Sequence, residues 1–172
     1  MRTILFPLVV LLVSLGVGAP YAQLLTGVST GSKSKDPALE RFARQFEVAF
    51  NKKDAAAVAL LYVEDAVLMP PNVPLVRGRQ AIQAFFTKEF EQGITDLRLT
   101  AIESSTSGQT GFDAGTSDVQ IRAARPSQLT TLGVGGPSPA VRAQGKYVTI
   151  YKRVGPDWKI AFDIFNEDKA TQ

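Results

Sequence analysis

Leu61-Tyr-Val-Glu-Asp-Ala-Val-Leu-Met-Pro-Pro-Asn-Val-Pro-Leu-Val-Arg-Gly-Arg-Gln-Ala-Ile-Gln-Ala-Phe-Phe86 reads as a strand, a stiff turn and an amphipathic helix in immediate succession. Ala66 to Met69 forms a short apolar strand, and Pro70, Pro71 and Pro74 then remove backbone donors, which confines the stretch to a sheet edge or a turn. Gly78 ends it and opens a helix from Arg79 to Gln92 with Ile82, Phe85, Phe86 and Phe90 on one side, stopped by Gly93.

Upstream, Asp36-Pro37 supplies an N-cap followed by proline at the first helical position. Leu39, Phe42, Ala43, Phe46, Ala49 and Phe50 then recur at helical spacing, so this helix turns an aromatic face to a core. Asp54 caps a shorter helix through Ala55 to Tyr62. Downstream the period changes to two, over Ile94 to Glu103, Thr110 to Arg122, Ala143 to Val154 and Trp158 to Asn166. Ala123 to Arg142, with Gly133-Val-Gly-Gly-Pro-Ser-Pro139, is expected to be a long loop. Three helices followed by strands argue for an α+β fold rather than a parallel sheet of βαβ units.

The first residues carry a single charge, Arg2, before an apolar run from Ile4 to Val17 and then Gly18-Ala-Pro-Tyr-Ala22, the parts of a secretory signal. Residues 1–22 are therefore expected to be a signal peptide cleaved after Ala22, residues 23–35 a flexible leader, and residues 36–168 a single domain. The expected localisation is secreted or periplasmic, without stable membrane insertion after cleavage. The chain has no cysteine, so export would not mean a disulfide-stapled scaffold. A length of 172 residues with 45% hydrophobic content supports one domain with a substantial core. The net charge of +3 falls to +2 once Arg2 is removed with the signal, and the basic residues are scattered. That pattern lacks the electrostatic footprint of nucleic-acid binding.

Four motifs, Tyr62-Val-Glu-Asp-Ala-Val-Leu, Arg77-Gly-Arg-Gln-Ala-Ile-Gln-Ala-Phe, Gly145-Lys-Tyr-Val and Trp158-Lys-Ile-Ala-Phe-Asp, stand in an order that resembles the nuclear transport factor 2-like superfamily. Within it they are most similar to SnoaL-like domains, to ketosteroid isomerase homologues and to the association domain of calmodulin-dependent kinase. The resemblance implies a cone-shaped roll with three N-terminal helices on a curved, mostly antiparallel sheet, enclosing a pocket and often forming a homodimer. It also implies what is missing for steroid isomerisation. The general-base position falls on Pro70, the oxyanion tyrosine on Phe46, a supporting tyrosine on Phe86, and the neutral acid near Thr149 or Ile150; only Tyr62 matches that hydroxyl network.

The chain has no histidine either, which excludes a Ser-His-Asp triad, a thiolate nucleophile and an ordinary zinc site. Proton transfer would fall to Asp, Glu, Lys or Tyr. Asp163 is the leading candidate, because it sits in an apolar strand where aspartate is disfavoured. Strict alternation puts Lys159, Ala161, Asp163 and Phe165 on one face and Trp158, Ile160, Phe162 and Ile164 on a second, dry face suited to a dimer. Asp163 is then either a pocket acid with a raised pKa or an aspartate paired with Lys or Arg or bonded to backbone at the strand end. Tyr147, Thr149 and Tyr151 share a face and are either ligand donors or packed strand residues. Tyr62 and Met69 fill core or approach a pocket rim, and Lys159 shares the face of Asp163. Arg77 is a forked anion contact or a solvated loop residue. Asp163, Asn166, Glu167 and Asp168 lack calcium-loop spacing, so neither metal nor cofactor is expected.

Three functions remain open: an exported binder of a small hydrophobic molecule, an isomerase, cyclase or hydrolase using Asp163, and a homodimeric structural or interaction module.

Overall fold

In the computed structural model of the chain, the described residues are 34–122 and 140–168. The expected signal segment, nearly all of the leader and most of the expected Gly- and Pro-rich loop lie outside them. Three helices, α1 (Pro37–Asn51), α2 (Ala55–Leu60) and α3 (Arg79–Glu91), are joined by six strands: β1 (Tyr62–Met69), β2 (Val76–Arg77), β3 (Ile94–Ser107), β4 (Thr110–Arg122), β5 (Ala140–Val154) and β6 (Asp157–Glu167). The strands form one curved, unclosed sheet in the order β2-β1-β6-β5-β4-β3. The β1–β6 pair is parallel and every other pair antiparallel. This is the α+β roll that the sequence implied.

Several element ends shift from expectation, β3 running on to Ser107 opposite Thr110, and three of the differences have a clear tertiary reason. α2 stops at Leu60 because the Leu61 carbonyl accepts from Ile160 N at 2.9 Å, which draws Tyr62 into the sheet. The turn after Met69 folds Val76 and Arg77 back onto Leu68 and Val67 as a short edge strand. β5 begins at Ala140, opposite Arg122, because the full length of β4 offers it partners.

Asp36 caps α1 and also anchors it. Its carboxylate accepts from Ala38 N at 2.8 Å and from the Thr106 hydroxyl at 2.6 Å, while its own amide donates to Ser104 Oγ at 2.8 Å. The Thr106 hydrogen bond is the main reason its pKa lies below the usual carboxylate range. At the other end of α1, Asn51 serves the exposed edge of the sheet: Nδ2 donates to the Leu97 carbonyl at 3.0 Å and Oδ1 accepts from Leu97 N at 2.7 Å. Glu47 accepts from Leu99 N at 2.6 Å. These bonds satisfy strand groups that would otherwise lack partners. They also hold α1 across the concave face, where Phe46 and Phe50 meet Phe86 with ring centroids 6.0 and 6.1 Å away.

Gly93 turns the chain from α3 into β3 with φ of 91°, and a Cβ there would stand 1.8 Å from the Arg122 carbonyl oxygen. Only glycine fits such a left-handed, backbone-to-backbone approach.

Replacing Asn51 by Ala should leave both Leu97 backbone groups unpaired and lower the unfolding free energy by about 1–3 kcal/mol in denaturant titration. A loss of less than a few tenths of that would mean that α1 is held by its aromatic face alone.

Candidate functional site

The site begins with a departure from alternation in β6. Tyr151 pairs with Ile160 and Ile150 pairs with Phe162, so Ala161 is one residue more than β5 can match. This bulge lets Ile160 and Asp163 face the same side, three positions apart. Trp158 and Ile160 therefore pack against the core, and the dry outer face expected from strict alternation is corrected to Phe162 and Ile164, 44% and 47% exposed. With Val148 and Ile150, which pair with them, they form an exposed apolar quartet on the convex side.

On the concave side a polar row crosses the sheet. Ser104 of β3 pairs with Asp113 of β4, Asp113 with Thr149 of β5, and Thr149 with Asp163 of β6. All four side chains are buried. Tyr62, on β1, donates its hydroxyl to Asp163 Oδ2 at 2.7 Å, and Thr149 donates to Oδ1 at 3.2 Å. Burial pushes the Asp163 carboxyl up to about 6, against the opposing pull of those two hydrogen bonds. Burial and the neighbouring Asp163 charge likewise hold the Tyr62 phenol well above its ordinary value.

A second carboxyl lies one strand away. Asp113 Oδ2 accepts from the Tyr147 hydroxyl at 3.2 Å, and its Oδ1 is buried with no partner. Burial raises its pKa as well. Gly115, opposite Tyr147, makes room for the phenol: a Cβ there would meet the Tyr147 hydroxyl oxygen at 2.8 Å.

Above this floor the helices leave a cavity of about 120 Å³. Tyr147, Thr149 and Asp163 form its base, Phe46, Phe50 and Phe86 its helical wall, Leu97, Leu99 and Val119 its strand wall, and Glu89, Asn166 and Glu167 its more exposed mouth.

Of the residues expected at the site, Asp163, Tyr147 and Thr149 line the cavity, and Tyr62 supports Asp163 from behind. Tyr151 does not line it; its buried ring packs edge-on to Phe42, 5.0 Å away. Lys159 is turned away by the bulge and donates to the Leu60 carbonyl at 2.8 Å. Met69, opposite Ile164, and Arg77, on the edge strand β2, also stand outside the cavity lining. They sit on the β1–β2 side of the sheet, whereas the hollow lies over β3 to β6. The sequence reading does not single out Asp113, and it names Phe46 and Phe86 only as standing where the resemblance puts isomerase tyrosines. The sequence did carry a sign of Asp113, an acid sharing a strand face with Gly111 and Gly115, where small neighbours leave space for a large polar partner.

A cone of helices on a curved sheet, with a carboxyl at the bottom of an apolar hollow, defines the class of domain. Residues 42–155 match the SnoaL-like domain, and the chain belongs to that family. No curated protein matches it. Among solved structures it is similar to a ketosteroid isomerase-like protein from Erwinia carotovora atroseptica, with a TM-score of 0.61 and 21% identity over 76% of this chain and 93% of that one. It is also similar to a nuclear-transport-factor-2-like protein with a cystatin-like fold from Novosphingobium aromaticivorans, with a TM-score of 0.60 and 15% identity over 78% of this chain and 82% of that one. At these identities the likeness is one of fold.

Asp163 gives the stability a pH dependence with a definite sign. Its pKa is higher folded than unfolded, so the folded state keeps the proton longer and loses stability as pH rises through the window from 3.8 to about 6. Between about pH 4 and about pH 7 the native chain should lose roughly 2 kcal/mol relative to Asp163→Asn. Parallel curves for the two proteins in urea titrations across that range would show the carboxyl to be solvated.

Proposed function

We propose that this domain is exported and binds a small, largely apolar molecule in the cavity, oriented by Asp163. The observation that carries this reading is the combination of a hollow walled by Phe46, Phe50 and Phe86 with one buried carboxyl at its base, backed by Tyr62 and Thr149. Preformed apolar cavities with a few convergent polar groups are the usual form of small-molecule sites. The absence of an acid or hydroxyl at Pro70, Phe46 and Phe86 favours binding over the isomerisation known for this fold. Export rests on the apolar segment and small residues before Gln23, and sequencing of the exported protein should begin at Gln23.

Isothermal titration with neutral one-ring arenes should show saturable 1:1 binding, abolished by Val119→Trp, which fills the strand wall. Absence of any saturable binding to the native chain would end this reading.

A second reading, acid–base catalysis by Asp163 on a hydrophobic metabolite, is favoured by a carboxyl pKa of about 6 beside the Tyr62 hydroxyl. It requires that Asp163→Asn abolish turnover of a substrate while the substrate still binds. Turnover that survives the change would leave Asp163 as an anchor only.

The exposed quartet Val148, Ile150, Phe162 and Ile164 supports a homodimer through the convex face. Sedimentation velocity should then find a dimer for the native chain and a monomer for Phe162→Lys combined with Ile164→Lys; a native monomer at tens of micromolar would dispose of the idea.

A further inference from the structure

The hydrogen bonds at the floor constrain what the ligand can be. A hydroxyl has one proton to give. Tyr62 and Thr149 spend theirs on Asp163, and Tyr147 spends its own on Asp113. What these groups leave facing the hollow is lone pairs: those on Tyr147 and Thr149, and the second lone pair on each Asp163 oxygen. The base of the cavity is therefore an array of acceptors with no free donor.

The charges point the same way. The ionisable lining groups near the mouth are the carboxylates of Glu89 and Glu167, and among the described residues no lysine or arginine lines the cavity. Burial, and then the charge of Glu167, push the Glu89 carboxyl above its ordinary range, so the two acids feel one another. Neutral donors exist only away from the base, on Ser117, Gln144 and Asn166. Ser117 pairs with Gly145 and Gly145 with Glu167, one row beyond Tyr147 and two beyond Asp163. A carbonyl or carboxylate driven to the floor would meet only acceptors, and an unpaired polar group there is costly.

We infer that the ligand of this cavity is a small hydrophobic amine carried as its cation, with the ammonium against Asp163 and an apolar body about one ring in size among Phe46, Phe50 and Phe86. The inference rests on the small-molecule reading above and narrows it to a chemical class. An ammonium is donor-only, so it complements an acceptor-only floor. Phenylalanine faces add cation–π attraction in a desolvated site. The size follows from volume: a cavity of about 120 Å³ approaches the roughly 150 Å³ in which a benzene ring is held.

The groups around Asp163 are Tyr62 on β1 and Tyr147, Thr149 and Tyr151 on β5; the charges of Asp113 on β4 and Glu47 on α1 act on Tyr147, α1 also presents phenylalanine, and α3 presents phenylalanine and Glu89. None of these is cationic. Binding should therefore need the ionised form of Asp163, whose pKa lies at about 6. Below that pH, affinity for an amine should fall about tenfold per pH unit.

Three isosteric probes decide the matter by isothermal titration at about pH 7.5: 2-phenylethylamine, 2-phenylethanol and phenylacetate. The amine should bind at least about tenfold more tightly than the alcohol, with no detectable binding of the acid, and the preference should shrink below about twofold in Asp163→Asn. The pH profile of the native chain tests the same point without a variant. Equal or tighter binding of the alcohol or the acid overturns the amine inference and leaves the small-molecule reading standing. A preference that persists in Asp163→Asn, or a flat profile below about pH 6, overturns the role given to Asp163. If none of the three binds, the cavity reading itself falls.

Discussion

One extra residue in β6, Ala161, governs how the inner surface of the sheet is used. A regular strand shows every second side chain to one side, and an apolar run placed on the outer wall would stay there to its end. The bulge resets that count midway. Trp158 and Ile160 turn inward to pack beneath the helices, and two pairs later Asp163 and Phe165 turn inward as well. The strand can thus complete the hydrophobic core with one half and furnish the cavity with the other. Phe162 and Ile164 are left outside, where they pair with Ile150 and Val148.

Burying a carboxyl under phenylalanine carries a cost that the surrounding hydroxyls only partly offset. Tyr62 and Thr149 each give Asp163 a hydrogen bond, yet desolvation still wins, and the acid is held near 6. Asp113 is less well provided, with one hydroxyl donor and one bare oxygen. Two such acids on a single cross-strand row are an expense that packing alone does not explain, since apolar residues there would make a more stable core. Groups of this kind cluster at functional sites, and the hollow opens directly over one of them.

The helices matter to the site mainly through what they hold apart. Asp36 fixes the start of α1 to the far end of β3, and Asn51 and Glu47 fix its end to Leu97 and Leu99. With both ends tied, Phe46 and Phe50 bridge the concavity, meet Phe86 of α3, and leave a void beneath them. Edge protection and cavity formation are thus consequences of the same few hydrogen bonds.

Local chemistry in the sequence determined the caps at Asp36 and Asp54, the aromatic face of α1, the proline-bounded turn and the alternation of the long strands, because each depends on neighbours within a few positions. It also singled out Asp163, since an acid amid Phe162, Ile164 and Phe165 is anomalous by itself. Which partners that acid would have, and which candidates would stand apart from it, was decided only by the tertiary structure. Tyr62 reaches Asp163 from 101 positions away, Asp113 becomes significant through its place opposite Thr149, and Lys159 loses its place through a bulge set by pairing with β5. Register and bulges arise from contacts between strands distant in the chain, so the alternation within one strand could name the acid but not the room in which it stands.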